Sequence, residues 1–160
     1  RQEARRRKEK KKEKERARIL AEEEEREQRR REKIARRYRE KIKKKRELYF
    51  NMWKNFDIDA FSTIKAENIP WPYYNQDDDN TKKISKEGIT EFLFDNDSAD
   101  INEPDRRRIL RQEQIKFHPD RWHRWIAKMQ SEQEKNKILD RVNKISQILN
   151  ALWNEVVEKS

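Results

Sequence analysis

A basic segment that ends in His118-Pro119-Asp120 constrains this chain more than any other stretch. Residues 106–117 read RRRILRQEQIKF, in which a few apolar residues recur at helical spacing among basic and polar ones. Pro119 has no amide hydrogen and disfavours the helical conformation for the residue before it, so this helix must end at His118. Asp120 is a residue type that caps helices, and we expect it to cap the next one. The sequence therefore predicts two helices joined at this tripeptide.

The helix before the tripeptide is predicted to bury one face. Ile109, Leu110, Gln114 and Phe117 approximate that face. The basic side chains are predicted to stay in solvent, and they are Arg107, Arg108, Arg111 and Lys116. A second apolar stripe follows the tripeptide at helical spacing, formed by Val142, Ile145, Ile148, Leu149 and Leu152. We expect Ile109, Leu110 and Phe117 to pack against this second stripe.

The segment from about Pro104 to Val156 resembles a J-domain, in which a basic helix is followed by a His-Pro-Asp turn and an antiparallel apolar helix. The resemblance implies a partner-binding surface made of the turn and of the basic residues before it. Its candidate residues are His118, Pro119, Asp120 and Arg121, together with Arg107, Arg108, Arg111 and Lys116. In working J-domains this surface stimulates ATP hydrolysis by a DnaK-type chaperone. A predicted short helix over Arg121–Met129, rich in Trp, replaces the loop of typical J-domains.

Residues 1–47 are predicted to form one long, charged helix. They contain no Gly or Pro, and they hold 24 Lys and Arg against 12 Glu, a net charge of +12. Such residues are strong helix formers, and an unbroken helix would be about 70 Å long at 1.5 Å per residue. Ile34, Tyr38 and Ile42 form a short stripe that should contact a partner or the rest of the chain. The helix is either a solvated spacer or a surface that binds nucleic acid or a large complex.

Residues 48–103 carry large aromatic side chains and then polar loops. The aromatic residues Tyr49, Phe50, Trp53 and Phe56 should continue the helix with a face to bury. In Ile69–Pro72, which reads IPWP, two prolines around a Trp force an extended run that is neither helix nor central strand. We expect this run to lie over a helical core with Trp71 and Tyr74 beneath it. Pro70, Trp71 and Pro72 are further candidates for partner binding.

Several helix boundaries can be predicted after the IPWP run. Residues 76–83 form a polar loop, and Ser85 should cap a short helix that carries Ile89, Phe92 and Leu93. The segment 95–103 is acidic, but a calcium loop needs a ligand at its fifth position and Gly at its sixth, where Ala99 and Asp100 stand. Ser131 and Glu134 are spaced as a capping box for a final helix from Glu132 to about Val157.

The IPWP run followed by RQEQIKFHPDRW over residues 111–122 resembles the C-terminal region of the NF-kappa-B inhibitor-like protein 1 family. The resemblance lies in the order and spacing of these motifs and covers about residues 30–155. It implies a nuclear protein that is linked to pre-mRNA processing, with a J-like domain and no catalysis of its own. The ankyrin repeats of the animal proteins are absent from these 160 residues.

The sequence offers little support for catalysis or a cofactor. There is no Cys for a disulfide, thiolate metal site or nucleophile, and one Gly is too few for a phosphate-binding loop. His118, Asp120 and His123 could be drawn as metal ligands, but Pro119 splits them across a turn and no fourth ligand is evident. No apolar run approaches membrane-spanning length. We predict a protein that is not an enzyme and needs no metal, cofactor or membrane.

These observations predict an all-α fold with a long charged helix over residues 1–47, an aromatic and loop segment over 48–103, and a J-domain-like hairpin over 104–160. The expected function is a protein-interaction scaffold in a nuclear ribonucleoprotein, with splicing factors as partners and RNA contacts through residues 1–47. The alternative is a cochaperone that acts on a DnaK-type chaperone through the His-Pro-Asp turn. Because the chain begins at Arg1 without Met, we expect it to be a fragment of a longer protein.

Overall fold

The computed structural model describes residues 1–74, 84–95 and 103–158, most of which lie in helices. The helices are α1 (Gln2–Lys54), α2 (Lys86–Phe94), α3 (Glu103–Lys116), α4 (Pro119–Arg124) and α5 (Glu132–Glu158). Short 3-10 turns lie at Ile58–Ala60, Ala66–Asn68 and Ile126–Lys128. No strand forms in these ranges, where one isolated parallel bridge joins Ile64 to Met129. The predicted all-α fold, a long N-terminal helix and then a small helical domain, is confirmed.

Two compact units divide the chain, Arg1–Lys41 and Ile42–Ser160. In the first unit every side chain of the helix is exposed except that of Tyr38, which is partly covered. Ion pairs run along its surface, with Arg29 2.6 Å from Glu25 and Arg31 3.0 Å from Glu27. In both pairs Glu precedes Arg by four residues, and each such pair stabilises an isolated helix by about 0.2–0.5 kcal/mol.

The predicted stripe of Ile34, Tyr38 and Ile42 is not uniform. Ile34 is exposed in the first unit, whereas Ile42 belongs to the second unit and is buried in its core. Of the two isoleucines, only Ile34 therefore leaves an aliphatic surface free for a partner.

In the second unit, α3 and α5 form an antiparallel pair. The Gln114 side chain donates to the Asn150 side-chain oxygen at 2.9 Å, and the Arg111 guanidinium lies 4.9 Å from the centre of the Trp153 ring. Leu110 and Phe117 are fully buried, as are the α5 residues Ile138, Val142, Ile145 and Leu149. The predicted pairing of the two stripes is confirmed for these residues.

Ile109 was expected in this core, and that prediction is wrong. Its side chain is partly exposed and faces an open groove, while the fully buried polar position on α3 is Glu113. Gln114, also assigned to the core face, is partly exposed at the edge of the pair. The buried face follows Leu110, Glu113 and Phe117, which are three and four residues apart and therefore superimpose on a helix.

The end of α1 completes the core of the second unit. Tyr49 and Trp53 are buried, and the Trp53 indole nitrogen donates to the Pro70 carbonyl at 3.0 Å. The Trp53 ring meets the Phe117 ring edge to face, with centroids 5.6 Å apart. Tyr49 and Trp53 of the predicted aromatic continuation are thus part of the domain interior. Phe56 was predicted on the same helix, and that prediction is wrong because α1 ends at Lys54.

Helix α2 begins as predicted and is held at its far end by α1. The Ser85 hydroxyl accepts a hydrogen bond from the Gly88 amide at 3.0 Å, which makes Ser85 the N-cap. At the other end, Arg46 donates to the Phe92 carbonyl at 2.5 Å. Such a cation satisfies the carbonyl groups that a helix leaves unpaired at its C-terminus.

Two predicted segments fall outside the described residues. They are the polar loop over Gln76–Lys83 and most of the acidic segment that follows Asp95, including Asp97 and Asp100.

Candidate partner-binding site

The His-Pro-Asp turn joins α3 to α4 through a capped helix start. The His118 backbone is extended, and its Nδ1 accepts a hydrogen bond from the Asp120 amide at 3.3 Å. His118 is therefore the N-cap of α4, and the prediction that Asp120 would be the cap is wrong. Because its ring already holds φ near the helical value, Pro119 suits the first helical position, and the cap falls one residue earlier. Asp120 lies in the first turn of α4, where its negative charge interacts favourably with the helix dipole.

Two side chains of this turn are open to solvent. The side chain of His118 is 61% exposed and that of Asp120 is 84% exposed, and His118 Nδ1 lies 3.8 Å from a carboxylate oxygen of Asp120. Pro119 is partly covered. Since His118 Nδ1 accepts a hydrogen bond, the proton of the neutral ring is on Nε2, which can donate to a partner.

Helix α4 is shorter and begins earlier than the predicted Arg121–Met129. It covers Pro119–Arg124, and a separate 3-10 turn covers Ile126–Lys128. The Lys128 carbonyl accepts from the Ile64 amide at 2.8 Å, and its ammonium donates to the Ile58 carbonyl at 3.2 Å. Both bonds tie Lys128 to the segment after α1, and the first uses a backbone carbonyl that a continued helix would have paired locally.

The basic residues before the turn differ in their surroundings. Arg108 is exposed and lies 3.8 Å from Asp105, and Arg111 is exposed beside Trp153. Arg107 is partly covered, and its Nε is buried without a hydrogen-bond partner among the described residues. After the turn, Arg121 is partly covered and its guanidinium lies 4.8 Å from the centre of the Trp125 ring.

Lys116 was expected in solvent, and that prediction is wrong. Its side chain is only 15% exposed, and its ammonium lies 2.5 Å from a carboxylate oxygen of the fully buried Glu113. The same ammonium lies 5.1 Å from the ring centres of Tyr49 and Phe50 and 5.7 Å from that of Trp53. Attraction between a cation and aromatic rings, added to the ion pair, holds Lys116 against the end of α1.

Glu113 is the centre of a buried polar network that the sequence analysis did not predict. Its second carboxylate oxygen accepts a short hydrogen bond from the Tyr49 hydroxyl. Burial raises the pKa of Glu113, although Lys116 and Tyr49 oppose that change. Burial and the neighbouring carboxylate raise the pKa of Tyr49 well above its usual range. The signal was available, because Glu113 stands at core spacing between Leu110 and Phe117.

The IPWP run stacks on the start of the turn. The Trp71 ring lies nearly parallel to those of Phe117 and Trp122, with centroids 6.0 and 6.2 Å away. Its indole nitrogen donates to the Ala66 carbonyl at 2.9 Å. Pro70 and Pro72 are buried, so within this run only Trp71 of the three candidate residues offers surface to a partner.

The predicted capping box of α5 is half formed. The Ser131 hydroxyl accepts from the Glu134 amide at 3.1 Å, as expected. The Glu134 carboxylate instead accepts from the Ala66 amide at 3.1 Å, which ties α5 to the turn before the IPWP run. A long-range partner has replaced the local one.

The described ranges carry neither a cluster of metal-ligating side chains nor a membrane-spanning helix. Within them, no three His, Asp or Glu side chains are grouped so that they could hold a metal ion. None of the helices there is both long enough and apolar enough to cross a bilayer.

The exposed His-Pro-Asp turn follows the basic helix α3 in a small helical domain, in which α5 runs antiparallel to α3. Over residues 87–157, which contain most of α2 and all of α3 and α4, the chain matches the family model described as the NF-kappa-B inhibitor-like protein 1 C-terminal domain. The resemblance to this C-terminal region is thereby confirmed. The match does not include the end of α1 or the IPWP run. Neither the curated proteins nor the solved structures gave a match.

Proposed function

We propose that this chain is a non-catalytic protein-interaction scaffold of a nuclear ribonucleoprotein complex associated with pre-mRNA splicing. Its partners would be protein components of that complex, with RNA contacts through residues 1–47. The nuclear and splicing part of the proposal rests on the family resemblance. The scaffold part rests on the physical character of the two units.

The observation that carries the scaffold proposal is the exposure of the first unit. A helix whose side chains are exposed over nearly all of Arg1–Lys41 buries no apolar face of its own. Helices that are polar all round commonly bridge between other bodies, supported by ion pairs between residues four apart. An excess of Lys and Arg adds attraction to acidic partners or to RNA.

The second unit supports the same proposal in a different way. The ionisable groups inside the domain, Glu113, Tyr49 and Lys116, satisfy one another, and in that arrangement they hold α1 to α3. A rigid helical domain with an exposed turn is suited to docking against another protein.

The test is recovery of bound proteins from splicing-competent nuclear extract with the full 160-residue chain as bait. A matched bait carries Leu149→Asp, which keeps the charged helix but places a charge in the domain core. Proteins that bind this control are retained by the charged helix or by unfolded chain. Splicing factors enriched on the wild type over this control, as measured by quantitative mass spectrometry, are the expected result. Equal recovery on both baits would assign the contacts to the charged helix and not to the folded domain, and the absence of splicing factors from both baits would contradict the scaffold proposal.

A cochaperone is the second candidate, favoured by the exposure of His118 and Asp120. The discriminating measurement is steady-state ATP turnover by a purified DnaK-type chaperone with the wild-type chain and with Asp120→Asn. The substitution removes one exposed charge in the first turn of α4 and should cost no more than about 1 kcal/mol of stability. We expect little stimulation by either protein. Stimulation by the wild type that is lost in Asp120→Asn would establish the cochaperone instead.

A further inference from the structure

A groove lies beside the His-Pro-Asp turn, between the last turns of α1 and the outer face of α3. Its volume is about 590 Å³. Phe50, Trp53 and Lys54 of α1 line one wall, and Arg121 lies at the end next to the turn. The other wall follows α3 from Arg108 to Lys116.

Aliphatic and aromatic side chains form the floor of the groove. Ile109 faces it from α3 in place of the core position predicted for it. Ile115 projects into it with 61% of its surface exposed. Phe50, on the opposite wall, is partly exposed. An isoleucine and an aromatic ring left open on facing helices offer apolar area that a partner could remove from water.

The charged residues that line the groove are all basic: Lys54, Arg108, Lys116 and Arg121. Two of them have acidic neighbours, since Lys116 pairs with the buried Glu113 and Arg108 lies 3.8 Å from Asp105. A second groove, between α2, α3 and α5, differs in this respect. It is lined by both signs of charge, and its Lys86 and Glu155 pair with each other.

Arg121 carries a charge that is partly removed from water. Burial lowers its pKa, and no carboxylate among the described residues opposes that effect. A carboxylate placed in the groove beside Arg121 would supply the missing counter-charge. Lys54, at the other wall, is exposed and can contribute a second charge contact.

The length of the α3 wall sets the size of the ligand. From Arg108 to Lys116 a helix rises about 12 Å at 1.5 Å per residue, which matches about two turns of another helix. We propose that this groove binds an acidic amphipathic helix of a partner protein, with its apolar side chains on Ile109, Ile115 and Phe50 and its carboxylates on Lys54, Arg108 and Arg121. This is the helix-in-groove mode of recognition, with anchors three and four residues apart. The inference rests on the proposed scaffold function and names the chemistry of one partner.

The probe is a fluorescein-labelled synthetic peptide of about fourteen residues, with leucines at i, i+3, i+4 and i+7 and with Glu and Ala elsewhere. Binding to the full 160-residue chain is measured by fluorescence anisotropy. One control peptide has the same composition with its leucines scattered around the helix, and another has Lys in place of Glu. We expect both controls to bind at least about tenfold more weakly than the probe, which corresponds to about 1.4 kcal/mol.

Two substitutions and two matched controls locate the binding site. Ile115→Glu places a carboxylate on the floor, and Lys54→Glu reverses a charge on the wall. Their controls are Leu20→Glu, at a leucine that is 58% exposed in the first unit, and Lys137→Glu, at an exposed lysine of α5. We expect each groove variant to bind the probe about tenfold more weakly than the wild type, and the controls to bind it with unchanged affinity. Circular dichroism checks that all four variants are folded.

Equal binding of probe and scattered peptide, or equal affinities of the groove variants and their controls, would overturn the proposal. So would a single-stranded oligouridine that binds more tightly than the probe and competes with it.

The outcome of the peptide experiment is separable from that of the scaffold proposal. If splicing factors are recovered equally on wild type and Ile115→Glu and the probe does not bind, the groove assignment alone fails. If the probe binds as expected but no splicing factor is enriched, the scaffold proposal alone fails.

Discussion

The Tyr49 hydroxyl donates a hydrogen bond to the carboxylate of Glu113, and both side chains are buried. This contact joins residues 64 positions apart and fixes the end of α1 against α3. Because Lys116 approaches the other oxygen of Glu113 at 2.5 Å, the buried charge has a partner on each side. Both groove walls are therefore positioned by a polar network inside the domain.

Tyr49→Phe should destabilise the domain by about 1–3 kcal/mol, because it leaves a buried carboxylate short of one donor. The measurement is urea unfolding followed by circular dichroism. A double-mutant cycle with Glu113→Gln isolates the pair from the loss of the hydroxyl alone. Additive effects of the two substitutions would show that the hydrogen bond contributes no coupling energy.

Glu113→Gln should change how stability depends on pH. The pKa of Glu113 is raised in the folded domain above its ordinary value of 4.5, so between pH 4.5 and the raised pKa folding binds a proton that the unfolded chain has released. The contribution of the protonated carboxyl is fully present below pH 4.5 and is lost as pH rises through the raised folded pKa. Since Gln does not titrate, the variant should gain stability relative to the wild type as pH rises through that window. Unfolding free energies at several pH values test this, and a difference that is constant with pH would contradict it.

Leu149→Ala should cost about 2–5 kcal/mol, because Leu149 is fully buried between α5 and α3 and its truncation leaves a cavity. Val157→Ala, near the exposed end of α5, is the matched control and should change stability by less than about 0.5 kcal/mol. Denaturant midpoints measure both. A loss below about 0.5 kcal/mol for Leu149→Ala would mean that the α3–α5 pairing is wrong.

If residues 1–47 contact RNA, affinity should fall steeply between 50 and 200 mM salt. Each phosphate that is neutralised on a single strand releases counterions and contributes about 0.7 to the slope of log K against log salt concentration. Anisotropy titrations with an oligouridine at several salt concentrations measure that slope. A flat response would leave the helix as a spacer without an electrostatic ligand.

The sequence predicted the elements that depend on local chemistry. Pro119 ends α3, Ser85 caps α2, and the alternation of Leu110 and Phe117 with basic residues defines a buried face. In each case, a residue type and its near neighbours are sufficient to set the structure.

One wrong prediction was local, since the cap of α4 is His118 and not Asp120. The wrong predictions for Lys116 and the Glu134 side chain concern partners that are distant in sequence. Lys116 is buried because aromatic rings of α1 and Glu113 surround it, and none of those rings is near it along the chain. The Glu134 carboxylate accepts a hydrogen bond from the Ala66 amide, 68 residues away, and not from the local amide of a capping box. The groove could not be predicted either, since it depends on how closely α1 approaches α3.

The contribution of α1 to the interior has a consequence for the boundaries of this domain. Residues 87–157 hold the sequence pattern of the family, yet Tyr49, Trp53, Ile64 and Ile69 are buried in the same unit and precede that range. A fragment cut at the matched range would uncover the Glu113 carboxylate and the aromatic faces of Phe117 and Trp122. The smallest independently folding piece should therefore begin near Ile42, inside α1, so the folding unit is larger than the segment that is recognisable by homology.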